Sequence, residues 1–249
     1  MTKSGSVLSE KAEYWVVPAV IAAAAVSLQL SFRIPVEGGE PYAVIRAAIL
    51  VLPLAASVCC LAAALKYNVS RIFGRSFLVL CVAYAAVFAG EAAYYFYLDP
   101  AGIPDHTAVE TLFLVSYPLF VLHVLINVSY FVRKVGGWWL LPCTVTLVGT
   151  VLYVLWTGTH PPYLDVLTVA CSSALLGLVA LAFVLFRGTA LSKPWLLLLA
   201  GILLGTVGDV AYRHAHTLGK YGFEDPSAGL WVASYMMVIY ALYRHCRAF

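Results

Sequence analysis

The chain has 249 residues, of which 63 % are hydrophobic and 11 % charged, with a net charge of +3 and a mean hydropathy of +0.91. An average soluble domain is roughly 45–50 % apolar and about 25 % charged. These values exclude a soluble globular domain, a disordered chain and a nucleic-acid binder, and they predict a polytopic α-helical membrane protein with no nucleic-acid partner.

A helix needs roughly 20 apolar residues to cross about 30 Å of hydrocarbon. After a polar stretch from Met1 to Glu13, eight segments meet or approach that length, at about 14–32, 43–65, 76–98, 110–132, 138–157, 163–186, 194–216 and 227–243. The first is too long for a signal-peptide core and is followed by no small-residue cleavage site, so it reads as a retained span. The connections hold turn formers: Pro35 to Gly39, Asp99 to Gly102, Gly136-Gly137, His160-Pro161-Pro162 and Gly219 to Pro226. None of the segments alternates apolar and polar residues as a β-barrel strand would. Of the six cysteines, five fall in apolar runs and none has a metal-ligand spacing, so they read as small apolar residues.

Basic residues set the expected orientation. With the N-terminus on one side, that side receives eleven Lys and Arg residues, and the other receives Arg33, Arg46, Arg213 and Lys220. The richer side is expected to be cytoplasmic, in the cell membrane, with both termini there. An even number of spans agrees with that placement.

An offset of 118 residues lays Gly90-Glu91-Ala92-Ala93-Tyr94 on Gly208-Asp209-Val210-Ala211-Tyr212. Without a gap it also lays Leu112, Ser116 and Tyr117 on Leu230, Ser234 and Tyr235, and Phe113 on Trp231. The third span thus matches the seventh and the fourth the eighth. The expected architecture is a single membrane domain over 1–249, all-α, with eight transmembrane helices as two parallel four-helix repeats at about 14–132 and 138–243.

Glu91 and Asp209 fall at equal depth in the third and seventh spans. A carboxyl group there costs several kcal/mol unless it is protonated, paired or facing water, so such residues usually face the bundle interior. In a parallel duplication the two would approach each other, a neutral acid beside an anion, which is the arrangement acid–base catalysis uses. The plainer reading is structural. Asp209 and Arg213 stand at i, i+4 and would form an ion pair on one helix face. Glu91 would bond a nearby tyrosine such as Tyr84 or Tyr94. Tyr94, Tyr117, Tyr212, Arg213, Trp231 and Tyr235 are the expected ligand-binding neighbours of the two acids.

His123 is the one histidine deep in a span, and a bis-histidine haem would need a second. The outer histidines and Glu110 lack an HxxxH or HExxH spacing, so neither a metal nor another cofactor is expected. No lysine lies inside a span to carry a retinal Schiff base.

The segment Gly90-Glu91-Ala92-Ala93-Tyr94, then Glu110, then Leu112-Phe113-Leu114-Val115-Ser116-Tyr117-Pro118-Leu119 resembles part of the multi-span sensory modules of prokaryotic histidine kinases and diguanylate cyclases. The later run Gly219-Lys220-Tyr221, Asp225, Trp231 and Tyr235 is similar to a second pattern of those modules. The resemblance covers roughly residues 43–243. It implies a membrane module that binds a membrane lipid or apolar small molecule. Six residues follow the last expected span, too few for an effector, so signalling would need a separate partner. The architecture is also similar to lysoplasmalogenase-like membrane proteins, with about eight spans and an acid in the third and seventh. That resemblance implies a membrane hydrolase in which Glu91 and Asp209 are the catalytic pair. A small-molecule carrier is the third reading. It is weakened because Pro53 and Pro118 have no counterparts in the other half.

Overall fold

The computed structural model describes residues 4–30, 43–68, 72–98, 107–129, 140–158, 161–189, 192–220 and 225–247, with their side chains from residue 16 onward except at 98, 107 and 108. Its described residues are helical: α1 (Ser4–Leu30), α2 (Ala43–Lys66), α3 (Ile72–Ala93) continued by a π-helical turn (Tyr94–Leu98), α4 (Thr107–Ser129), α5 (Leu140–Thr157), α6 (Tyr163–Phe186), α7 (Ser192–Thr217) and α8 (Ser227–Arg247). The turn formers at 35–39, 99–102 and 136–137, together with His106 and His160, lie outside the described residues. The third helix begins at Ile72, a turn before the expected 76. Backbone hydrogen bonding carries a helix past its lipid-matched window, so hydropathy underestimates its length.

Six helical segments are long and apolar enough to cross a membrane: Ala43–Lys66, Ile72–Tyr97, Val109–Ser129, Leu140–Thr157, Tyr163–Phe186 and Ser192–Thr217. This is the architecture of a multi-pass membrane protein. The apolar part of α1, Val16–Leu30, is shorter. Helix α8 is not among the six, for Trp231, Tyr235, Tyr240 and Tyr243 take places a lipid-facing helix would give to leucine.

The distribution of side chains agrees with a lipid surround. Leu140, Leu147 and Leu155 of α5 point outward, while Ser76, His123, Asn127, Asp165, Ser172 and Arg213 are buried. A protein folded in water buries its leucines and exposes such polar groups. In lipid there is no such drive, and polar side chains turn inward to find partners.

Left-handed residues end four of the helices. Asn68 (φ 61°) follows α2, and Gly158 (φ 61°), Gly188 (φ 81°) and Gly219 (φ 63°) follow α5, α6 and α7. Glycine takes this conformation without a Cβ penalty and lets the chain leave the helix sharply.

Six helices close into a ring in the order α2, α3, α4, α6, α7, α8 and back to α2. Helix α1 packs outside the ring on α8, and α5 packs outside on α6. Exchanging α2, α3 and α4 with α6, α7 and α8 leaves the order of the ring unchanged. Small residues allow the close approaches. Gly201 and Gly205 of α7 face Val238 and Ser234 of α8, and Gly177 of α6 faces Pro142 of α5.

Candidate functional site

The ring encloses a cavity of about 570 Å³, within the size range of small-molecule sites. It runs from the end where α3 and α7 finish and α4 and α8 begin, beside Tyr95, Glu110 and Gly219, down to His123 and Leu198, about two turns short of the opposite helix ends. All eight residues singled out in the sequence line it: Glu91, Asp209, Tyr94, Tyr117, Tyr212, Arg213, Trp231 and Tyr235.

Helical geometry brings them there. Tyr84, Val87, Glu91, Tyr94 and Tyr95 recur at three- and four-residue spacing along α3 and its π turn, so they form one inward stripe. On α7 the corresponding stripe is Ile202, Gly205, Thr206, Asp209, Tyr212 and Arg213. Positions 118 residues apart line the cavity together: Leu80 and Leu198, Glu91 and Asp209, Tyr94 and Tyr212, Ser116 and Ser234, Tyr117 and Tyr235. A Cβ on Gly90 would stand 2.9 Å from the Phe113 ring, and one on Gly208 would stand 2.9 Å from Trp231. The residue covering each glycine is again the one 118 positions on from its counterpart.

The two acids have opposite surroundings. Asp209 accepts a hydrogen bond from Tyr117 Oη at 2.6 Å and one from Ser172 Oγ at 2.7 Å, both on Oδ2. Its Oδ1 accepts from Trp231 Nε1 at 2.9 Å. The donors come from α4, α6 and α8, so this carboxyl group ties three neighbours to α7. Charge-assisted bonds of this kind are roughly twice as strong as neutral ones. Glu91 has none of this. It is 9 % exposed, faces the cavity, and makes no hydrogen bond or ion pair with any described residue. The expected bond to a tyrosine is not made. Phe113 stands where Asp209 has Trp231, and a phenyl ring has no N–H to donate. The α2 residue lining the cavity, Ile49, offers no hydroxyl as Ser172 does. The two carboxyl groups share the cavity, and no hydrogen bond joins them.

Arg213 is a correction. It does not pair with Asp209 four residues earlier. Its Nη1 donates to Asp165 Oδ1 at 2.8 Å and to Glu110 Oε1 at 2.9 Å, joining α7 to α6 and α4 at the cavity mouth. Asp209 is already taken up by its three donors, and two further carboxylates compete for the guanidinium. Thr217 Oγ1 donates to Asp165 Oδ2 at 2.9 Å, and Arg213 and Asp165 are 4 % and 1 % exposed. Among the described residues Arg213 Nε is buried without a hydrogen-bond partner, so the two carboxylates and the Thr217 hydroxyl must offset the desolvation of the bridge.

At the cavity floor His123 Nδ1 lies 2.9 Å from the Ser76 carbonyl, to which it donates, and 2.7 Å from Ser76 Oγ. Asn127 donates to the same hydroxyl and to the His123 carbonyl. The second nitrogen, Nε2, is buried with no partner. Among the described residues no group of three His, Cys, Asp or Glu side chains gathers to hold a metal ion.

Sequence reasoning did not identify Ser172, Asp165, Ser76 or Asn127. Thr168 and Ser172, four residues apart on α6, form a polar stripe that could have been found.

No family model, curated protein or solved structure gives a significant match to this chain.

Proposed function

We propose that this chain is an eight-span protein of the cell membrane, built as two parallel four-helix repeats with both termini cytoplasmic, that binds a lipid-like or apolar small molecule between the repeats. The binding reading rests on one observation above others. A cavity large enough for such a molecule holds a buried carboxyl group, Glu91, that makes no hydrogen bond or ion pair with any described residue. Buried polar groups are otherwise almost always bonded, so an unpartnered one lining a cavity points to a ligand. The rest of the wall suits an apolar body, for Tyr84, Phe113, Phe120 and Trp231 supply broad aromatic surface. The 118-residue correspondence of lining positions supports the repeat, and the excess of Lys and Arg on one side supports the orientation. In this reading the chain is similar to the sensory modules and passes its signal to a separate partner protein.

A second reading, a membrane hydrolase of the lysoplasmalogenase-like kind, is favoured by the unequal surroundings of the two acids. One carboxyl group is fixed by three donors and the other is bonded by no described residue, and unequal surroundings of this kind are how a pair of carboxyls divides acid and base roles. In that case Glu91→Gln abolishes turnover of a vinyl-ether lysolipid while the fold persists.

Native mass spectrometry after mild membrane extraction tests the binding reading on the wild type and a Glu91→Gln/Asp209→Asn double variant. The expected result is a discrete bound mass on the wild type that the variant lacks. Identical spectra, with the variant losing thermal stability, would overturn it and leave the acids as structural ties.

A further inference from the structure

We infer that the cavity is a site for an organic cation, an apolar molecule carrying one protonated amine, with Glu91 as its counter-ion. This rests on the small-molecule reading above and names the chemistry of the ligand.

The ionisable groups of the cavity are unbalanced in number. Its described lining holds three acids, Glu91, Glu110 and Asp209, and one constitutively charged base, Arg213. That base is already shared between Glu110 and Asp165. His216 stands beside Asp165 at 3.9 Å, and His123 is bonded to Ser76 through Nδ1. Arg46 stands 5.8 Å from the ring centroid of Tyr95, a lining residue near the mouth, and does not itself line the cavity. The hydrogen bonds to Asp209 come from neutral donors, and no described residue bonds Glu91. A positively charged ligand corrects this imbalance, whereas an anion worsens it.

The surroundings of Glu91 fit the same occupant. Tyr84, Tyr94 and Tyr95 share its helix face, Phe113 packs on the glycine before it, and the Tyr84 and Tyr235 rings lie 6.2 Å apart edge to face. Aromatic faces attract a cation through their quadrupole, most strongly when it is desolvated. A carboxylate among aromatic rings binds an ammonium group by charge and ring faces together. The apolar remainder of the ligand would extend toward Leu80, Leu198 and Val124.

The test uses matched probes on the full chain in nonionic detergent: 4-phenylbutylamine, 4-phenylbutanol and 4-phenylbutyrate, by isothermal titration calorimetry. The amine is expected to bind wild type about tenfold tighter than the alcohol, and the acid weakest. In Glu91→Gln the amine should fall to the level of the alcohol, whose own affinity is kept. A second measurement needs no variant. Labelling of Glu91 by a hydrophobic carbodiimide, mapped by peptide mass, should be blocked by the amine and not by the alcohol. Equal wild-type affinities for amine and alcohol overturn the inference while leaving the cavity reading intact. An amine preference that survives in Glu91→Gln overturns the role of Glu91. Binding of none of the three probes overturns the cavity reading and the inference with it.

Discussion

Trp231 donates its indole N–H to Asp209 at 2.9 Å, while Phe113, 118 residues earlier, covers Gly90 beside Glu91 with a ring that has nothing to donate. This exchange of aromatic residue accounts for one of the three bonds that Asp209 has and Glu91 lacks. Removing a donor from the tied acid should cost stability, and the same chemical change on the other side should not. Tyr117→Phe and Trp231→Phe are each expected to destabilise the protein by about 1–2 kcal/mol, the upper range for interhelical bonds in a membrane. Tyr235→Phe, which removes a hydroxyl with no bond to Glu91, should change stability by less than about 0.5 kcal/mol. Thermal unfolding of the four proteins in one detergent compares them.

The acids themselves should behave oppositely. Glu91→Gln removes no bond within the protein and takes away a buried group that costs energy to desolvate, so the unfolding midpoint should hold or rise. Asp209→Asn puts an NH₂ group in place of one carboxyl oxygen, so either the Trp231 N–H meets another donor or the Tyr117 and Ser172 hydroxyls must turn round and accept, and bonds made to the carboxyl group are lost. That loss is expected to be about 1–3 kcal/mol. A lower midpoint for Glu91→Gln than for Asp209→Asn would mean that Glu91 has the larger structural role.

The parts of this arrangement legible in the sequence are those carried by local periodicity. Apolar runs predicted the helices, and the repeated Gly-acid pair placed Glu91 and Asp209 in register, because 118 residues bring equivalent helix faces to equivalent positions. Partners chosen across the ring were not legible. Arg213 reads locally as a mate for Asp209, yet its carboxylates are 103 and 48 residues away in Glu110 and Asp165. Ser172 is one hydroxyl among several on α6, and only the closing of the ring sets it 2.7 Å from Asp209. The difference between Phe113 and Trp231 was visible as letters, but its meaning required both glycines to be seen beneath their rings.

The Arg213 bridge gives a prediction about that closing. Arg213→Met takes the guanidinium from Asp165, 1 % exposed, leaving His216 3.9 Å away, and takes it from Glu110 at the mouth. Breaking one side of a buried pair typically costs about 3–5 kcal/mol, because an uncompensated charge remains. Replacing both partners removes that charge. The double variant Arg213→Met/Asp165→Leu should therefore recover a large part of the loss. A double-mutant cycle on unfolding free energies checks it, and simple additivity of the two losses would show that the bridge is not the cause.

Close helix contacts give the last prediction, and here two opposing effects must be weighed. Replacing a helical glycine by alanine gains about 1 kcal/mol of intrinsic helix stability. Whether that gain appears depends on what the new methyl group meets. At Gly177 it would stand 2.6 Å from Pro142 Cα, a backbone atom of α5 that moves only if the whole helix moves. At Gly90 it would stand 2.9 Å from the far edge of the Phe113 ring, which can turn aside. Overpacking against an immobile neighbour costs about 1–3 kcal/mol. Gly177→Ala should therefore lower the unfolding midpoint by forcing α5 away from α6, and Gly90→Ala should be close to neutral. Gly90→Ala carries a further consequence, because the Phe113 ring that must yield also lines the cavity. The displaced ring would narrow the space beside Glu91, so this variant should weaken ligand retention in native mass spectrometry while Gly177→Ala, remote from the cavity wall, leaves it unchanged.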